Sequence, residues 1–221
     1  MNSRGVWISK VEEKSKLEKF LRDEVFVVQS ECGISLVNTK LQIINAELGV
    51  TDGRQVIHNT SSRIKSYESL LAKIEKKKIS TEVDVVKDKI NDIVGVRAIC
   101  SYTDDLYKVA DMLCGQKDVR LIKRKDYIEN PKDSGYRSLH LVVEVPICFQ
   151  NHTRWIKIEV QLRTTAMDYW AGLDYQFRYK KSKKEADIIG EELRDCAVVI
   201  EKMDKKVVEL RKKLEAIQKT I

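Results

Sequence analysis

The stretch from Trp155 to Arg163 constrains the fold of this chain more than any other. Ile156, Ile158, Val160 and Leu162 occupy alternate positions, and Lys157, Glu159, Gln161 and Arg163 fill the places between them. A period of two belongs to a β-strand, whose successive side chains face opposite ways. The apolar set needs a cover, and the polar set looks out over the other face. Such a strand requires a sheet with one covered side and one side free for polar work.

The rest of the chain supplies the sheet and its cover. Ile93 to Ser101, dense in Val, Ile, Ala and Cys, reads as a buried strand. Val119–Lys123 and Leu139–Val145 read as further strands, and Asp104–Leu113 and Ala166–Tyr179 as helices. That order implies a mixed sheet with at least one antiparallel pair, flanked by helices, hence an α+β fold. Upstream, apolar spacing predicts a helix over residues 8–30 and a second from Leu36 to Leu48, ending at Gly49. Thr51-Asp52-Gly53 is a turn signal. The polar segment His58–Ser66 then leads into a helix from Tyr67 to Lys78, with Ser66 as N-cap and Glu68 in the first turn. At the other end Ile200, Met203, Val207, Leu210, Leu214, Ile217 and Ile221 keep a 3-4 spacing, which is an a/d seam. That seam suits pairing with the N-terminal helix or with a second copy of the chain.

Composition removes several classes. No apolar run approaches the ~18 residues of a membrane span, and the first ten residues lack an apolar signal core, so the expectation is a cytoplasmic protein without a membrane partner. The five cysteines are odd in number and form no C-x-x-C pair, which predicts reduced, mostly buried thiols. The net charge of +7 points to an anionic partner: nucleotide phosphates, RNA or an acidic membrane surface. The chain contains no G-x-x-x-x-G-K-[ST], no G-x-G-x-x-G and no H-E-x-x-H. If it binds nucleotides, side-chain cations rather than a glycine cradle must hold the phosphates.

Candidate groups gather around the sheet. Residues Arg124 to His140 concentrate cations, two tyrosines, a glycine and one of three histidines. Cations neutralise phosphate and a tyrosine ring offers a stacking platform. Asp92 precedes the strand that carries Arg97, and a carboxylate there either caps a turn or holds Mg²⁺ at the edge of a cleft. The five-residue separation sets Asp92 and Arg97 on opposite faces of a regular strand. To meet one ligand, Asp92 must lie at the strand start, or a bulge near Gly95 must re-aim it.

In order and spacing, Ser62-Arg63-Ile64-Lys65-Ser66, Asp92-Ile93-Val94-Gly95-Val96-Arg97, Lys125-Asp126-Tyr127-Ile128, Ser134-Gly135-Tyr136-Arg137-Ser138-Leu139-His140 and Glu159-Val160-Gln161-Leu162-Arg163-Thr164 resemble the RelA/SpoT-type (p)ppGpp synthetase domain. The resemblance spans about residues 55–185, with N-terminal helices in 1–54 and the heptad helix, an oligomerisation element, in 186–221. No H-D…E-D hydrolase motif is present, so the chain is similar to the small alarmone synthetases, which have a nucleotidyltransferase-like sheet and assemble as homotetramers. The resemblance implies transfer of the β,γ-pyrophosphate of ATP to the 3′-OH of GDP or GTP, and possibly GMP, releasing AMP, with Mg²⁺ as cofactor. It implies that Arg63 and Arg97 stack on adenine, and that Lys65 and Lys125 contact ATP phosphates. Asp92 and Glu159 are implied as metal ligands, with Glu159 also activating the 3′-OH. Tyr136 is implied to stack on guanine, with Lys132, His140 and Gln161 on the acceptor side. Leu173-Asp174-Tyr175 stands where many relatives have a Glu-His pair, so no role is carried over to Asp174 or Tyr175. A toxin-type homologue acting on the 3′ end of tRNA is the alternative. The basic runs Lys76–Lys78 and Lys180–Lys184 would then supply RNA contact.

Overall fold

A computed structural model of the chain describes residues 3–178, 183–218 and 220. Tyr179, residues 180–182 of the basic run and Ile221 of the heptad seam lie outside the described residues. Five strands form one sheet: β1 (Ile57–Ile64), β2 (Val94–Cys100), β3 (Arg120–Asp126), β4 (Leu139–Cys148) and β5 (Thr153–Thr164). Their order is β1-β2-β5-β4-β3, with β2 and β5 parallel and every other pair antiparallel. The expected mixed sheet and α+β class are therefore present.

The alternation in β5 decides which face is covered. Ile158, Val160 and Leu162 are fully buried in a core shared with Val96, Ala98, Leu139, Leu141 and Val143. Helix α2 (Glu24–Asp52) and helix α5 (Thr103–Cys114) cover that face through Val37, Leu41, Ile44, Leu106, Val109 and Leu113. Gly33 lets α2 come close, because a Cβ there would sit 3.0 Å from Ile156 Cγ2. The opposite face stays open.

Two satellite cores flank the main one. Leu17 and Leu21 of α1 (Ser3–Arg22), Leu70 and Ile74 of α3 (Tyr67–Lys77), and Val86 of α4 (Val83–Lys89) pack with Ile90 and Ile93, beneath the segment carrying Asp92. On the other side Trp170 of α6 (Thr165–Arg178) packs with Leu193 and Ala197 of α7 (Lys183–Gln218), against Tyr136.

Several expectations need correction. The first helix does not run to residue 30: it stops at Arg22, and Asp23 caps a new helix by accepting from Phe26 N at 2.9 Å. That helix runs unbroken through 31–35, past Leu48, to a left-handed cap at Gly53. The polar segment 58–66 is largely an edge strand, β1, exposed at six consecutive positions, so it shows no alternation. Arg124 and Lys125 belong to β3 and His140 to β4, so the connecting loop is shorter than expected. Of the five cysteines only Cys100 is buried, and burial pushes its thiol up to about 12; Cys148 and Cys196 are exposed. Helix α7 packs on α5 and α6, and its seam residues Met203, Val207, Leu210, Leu214 and Ile217 point outward. The helix from Ser66 matches expectation, with Ser66 Oγ accepting from Ser69 N.

Candidate active site

Two adjacent rungs of the open face carry most of the sequence-derived candidates. Residues opposed across a sheet share a face. One rung reads Arg63, Gly95, Glu159, Val142 across β1, β2, β5 and β4. The next reads Ser61, Arg97, Gln161, His140, Lys125, one residue from each strand. Gly95 has no side chain, which leaves a gap between Arg63 and Glu159. A cavity of about 160 Å³ there is lined by Arg63, Gly95, Arg97, Gln161 and Arg163, among others.

Asp92 reaches this region from the segment just before β2, so the first of the two expected solutions holds and the β2–β5 register stays unbroken from Gly95 to Cys100. Its Oδ2 contacts Lys65 Nζ at 3.0 Å and Lys73 Nζ at 2.6 Å. Burial opposes ionisation here. The hydrogen bond from Lys73 and the charge of Lys65 prevail, and the carboxyl titrates below its ordinary range. Oδ1 is buried and has no hydrogen-bond partner. A buried carboxylate oxygen left unpaired, on a group whose other oxygen is held by two lysines, suits a hard cation such as Mg²⁺, which needs only one or two protein carboxylates. Among the described residues no group of three His, Cys, Asp or Glu could hold a metal, and Mg²⁺ chemistry does not require one.

Glu159 sits at the centre of a closed ring of side chains. Gln161 Nε2 donates to its Oε2 at 3.0 Å, and His140 Nδ1 lies 3.3 Å from its Oε1. Arg163 Nη2 donates to Gln161 Oε1 at 3.0 Å and to the Tyr136 hydroxyl at 2.7 Å. That hydroxyl lies 2.8 Å from His140 Nε2. Arginine can only donate and an ionised carboxylate can only accept, which fixes the direction at both ends of the network. Tyr136 accepts from Arg163, and with the imidazole hydrogen of a neutral His140 on Nδ1, facing Glu159, Nε2 accepts from the Tyr136 hydroxyl. Gln161 accepts from Arg163 and donates to Glu159. Both branches end as donors on the carboxylate. Burial opposes ionisation of Glu159, but the hydrogen bond from His140 and the one from Gln161 outweigh it, and its pKa is lowered. Burial pushes the Tyr136 phenol up, so it keeps the proton that the ring uses.

Lysines crown the cleft. Lys132 lies 4.3 Å from the centroid of the Tyr136 ring and 4.7 Å from that of Tyr127. Its pKa is depressed by burial and by the like charges of Lys125, Lys73 and Lys76, against the pull of Glu159. Lysines of α3, of β3 and of the loop before β4 therefore feel one another across the site. The loop is fastened at both ends: Tyr127 N donates to Ser138 O at 3.0 Å and Ser138 Oγ to Leu162 O at 3.0 Å.

The structure thus brings Asp92, Lys65, Arg63, Arg97, Lys125, Lys132, Tyr136, His140, Glu159 and Gln161 to one face. Both nitrogens of His140 are engaged within the protein. Sequence reasoning gave no role to Lys73, Arg163 or Asp168. Lys73 is one lysine among several in α3. The polar parity of β5 placed Arg163 on the working face, and Asp168 shows only as the acid in the first turn of α6.

The motif order and this site define a class. The family described as "Region found in RelA / SpoT proteins" matches residues 62–184, over half of the chain, and the chain belongs to that family. It is 37% identical to GTP pyrophosphokinase YwaC of Bacillus subtilis, covering 82% of this chain and 87% of that protein. It is 30% identical to GTP pyrophosphokinase YjbM of the same organism, over 88% of this chain and 91% of the relative. Among solved structures it resembles small alarmone synthetase 1 of B. subtilis bound to its product pppGpp, with TM-score 0.76, 29% identity and coverage of 87% and 97%. It likewise resembles small alarmone synthetase 2 of that organism, with TM-score 0.73, 36% identity and coverage of 87% and 99%.

Proposed function

We propose that this protein is a (p)ppGpp synthetase that moves the β,γ-pyrophosphate of ATP to the 3′-hydroxyl of GDP or GTP and releases AMP. The observation that carries this reading is the pair of adjacent rungs. They set Arg63 and Arg97 beside Glu159 and Gln161, with Asp92 and its lysines at one margin and Lys125 and Lys132 at the other.

Attack at phosphorus spreads charge over equatorial oxygens, so the reaction needs cations and a positioned hydroxyl rather than a covalent intermediate. Arg63 and Arg97 flank the adenine, since a planar guanidinium stacks and still hydrogen-bonds at its edge. Lys65 and Lys125 neutralise the donor phosphates. Asp92, with Glu159 as second carboxylate, holds Mg²⁺, which when bound supplies charge neutralisation on phosphate oxygens. Glu159, already ionised, accepts the hydrogen of the 3′-hydroxyl and holds that oxygen toward phosphorus. Tyr136 stacks on guanine, and Lys132, His140 and Gln161 line the acceptor side. The outward seam of α7 (Met203, Val207, Leu210) serves assembly as a homotetramer. Among the described residues no helix is long and apolar enough to cross a membrane; the working place is the cytoplasm.

One assay tests this. The protein is mixed with labelled ATP, Mg²⁺ and GDP, GTP, GMP or bulk tRNA. Label in a guanosine tetra- or pentaphosphate is the expected result. Label on tRNA alone, or none, overturns the reading. Light scattering gives the subunit count.

A further inference from the structure

Asp168 is placed where no catalytic role has so far been given to it. Helix α6 starts directly at the end of β5, with Thr164 Oγ1 accepting from Met167 N at 3.1 Å. This abrupt junction swings the first turn of α6 back over the open face. There Asp168 Oδ1 accepts from Arg97 Nη1 at 2.7 Å and from Arg163 Nη1 at 2.8 Å. The two arginines stand on the neighbouring parallel strands β2 and β5 and belong to different halves of the site.

On the donor half, Arg97 also donates from Nε to Ser61 Oγ at 3.2 Å. Its edge is therefore gripped at two in-plane donors, by Ser61 and by Asp168. Two in-plane bonds fix the plane of a guanidinium, and a plane of fixed orientation is what stacking on a purine needs. The side chain of Arg97 is still 40% exposed at the cavity, so it remains available to a ligand. On the acceptor half, Arg163 is only 8% exposed and drives both branches of the ring that ends on Glu159. Its single charged partner among the hydrogen bonds described is Asp168. Without that carboxylate two guanidinium groups would share one small region with no counter-charge between them.

We propose that Asp168 is a positioning residue shared by both substrate sites, fixing Arg97 for the donor base and Arg163 for the acceptor side of the reaction. The inference rests on the synthetase reading above. A purely structural role is the competing account: an acid in the first turn of a helix contributes modest stability there. The two accounts differ in what they do to substrate binding.

The test compares the parent with Asp168→Asn, Asp168→Glu and Ser61→Ala. Calorimetry with a non-hydrolysable ATP analogue and with GDP, each alone, is run beside steady-state kinetics and thermal melts. Asp168→Asn keeps the shape and loses the charge. It is expected to weaken both ligands, each by about tenfold, the loss of one charge-assisted hydrogen bond per arginine. Ser61→Ala touches the Arg97 arm alone and is expected to weaken the ATP analogue about threefold while leaving GDP unchanged. Asp168→Glu is expected to recover part of the loss. The inference is overturned by a folded Asp168→Asn protein with both affinities within twofold of the parent, or with only one affected. Should Asp168→Asn fail to fold, the Ser61→Ala split decides: unchanged ATP binding refutes the gripped Arg97. A parent that binds both nucleotides yet makes no alarmone would instead overturn the functional reading and leave the binding comparison intact.

Discussion

The two halves of the site are built on different physics. The half containing Asp92 rests on the satellite core of α1, α3 and α4, and its polar groups are ion pairs: one carboxylate oxygen shared by two lysines, its other oxygen unpartnered. The half containing Glu159 rests on the sheet and on the Trp170 core. Its groups form two branches that leave Arg163, one through Tyr136 and His140 and one through Gln161, and converge on Glu159. Ion pairs to long lysines rearrange readily when a polyanion enters. A network whose Arg163, His140 and Glu159 are buried is already in its working arrangement. The donor half is therefore adaptable and the acceptor half preorganised.

The sharpest way to break this comparison is Glu159→Gln. An amide in that place cannot accept on both sides, and turnover is expected to fall by about 10² to 10⁴, the usual worth of a positioned base, with ATP binding retained by calorimetry. Turnover near the parent value would remove Glu159 from the reaction. Lys73→Ala is next. It takes away a 2.6 Å partner of Asp92 and is expected to weaken ATP binding by about five- to tenfold. Because the donor half meets the triphosphate with lysine charges, Lys73 among them at its part-exposed margin, raising salt should weaken ATP more than the guanine nucleotide in parallel titrations. Equal salt slopes would mean that the halves do not differ as described.

Gly135→Ala probes the acceptor loop. Gly135 has φ of 91°, and a Cβ there would come 2.7 Å from Ala197 Cβ. A loss of about 1–3 kcal/mol in stability is expected, with a raised KM for the guanine nucleotide and an unchanged one for ATP. The smallest effect belongs to Asp204. Burial raises its pKa, opposed by the hydrogen bond from Thr164 and by Arg137. The folded state then holds its proton to higher pH than the unfolded chain, so stability falls as pH rises from about 4 through the raised value. Asp204→Asn should flatten that slope and give a modest gain in melting temperature at neutral pH. An unchanged slope would show that burial does not govern this group.

Much of this was legible in the order of residues, and the exceptions share a cause. The faces of β5 and the helix after Ser66 follow from backbone periodicity and a local cap. β1 was missed as a strand because it is an edge exposed over six positions, and without burial there is no alternation to see. The break at Asp23 was missed because one N-cap in an acidic and basic stretch looks like any other Asp. Lys73 and Asp168 were overlooked because their importance lies in partners far along the chain, Asp92 for one and Arg97 for the other.

Residue order alone is enough to say which side chains share a strand face and how the charged groups follow one another, since both depend on the geometry of the local backbone. It takes the folded chain to make Arg163 direct two branches onto Glu159, and to let one oxygen of Asp168 hold arginines from two strands. Those partnerships depend on strand register and on the angle at which a helix leaves the sheet, and neither is a property of any short segment.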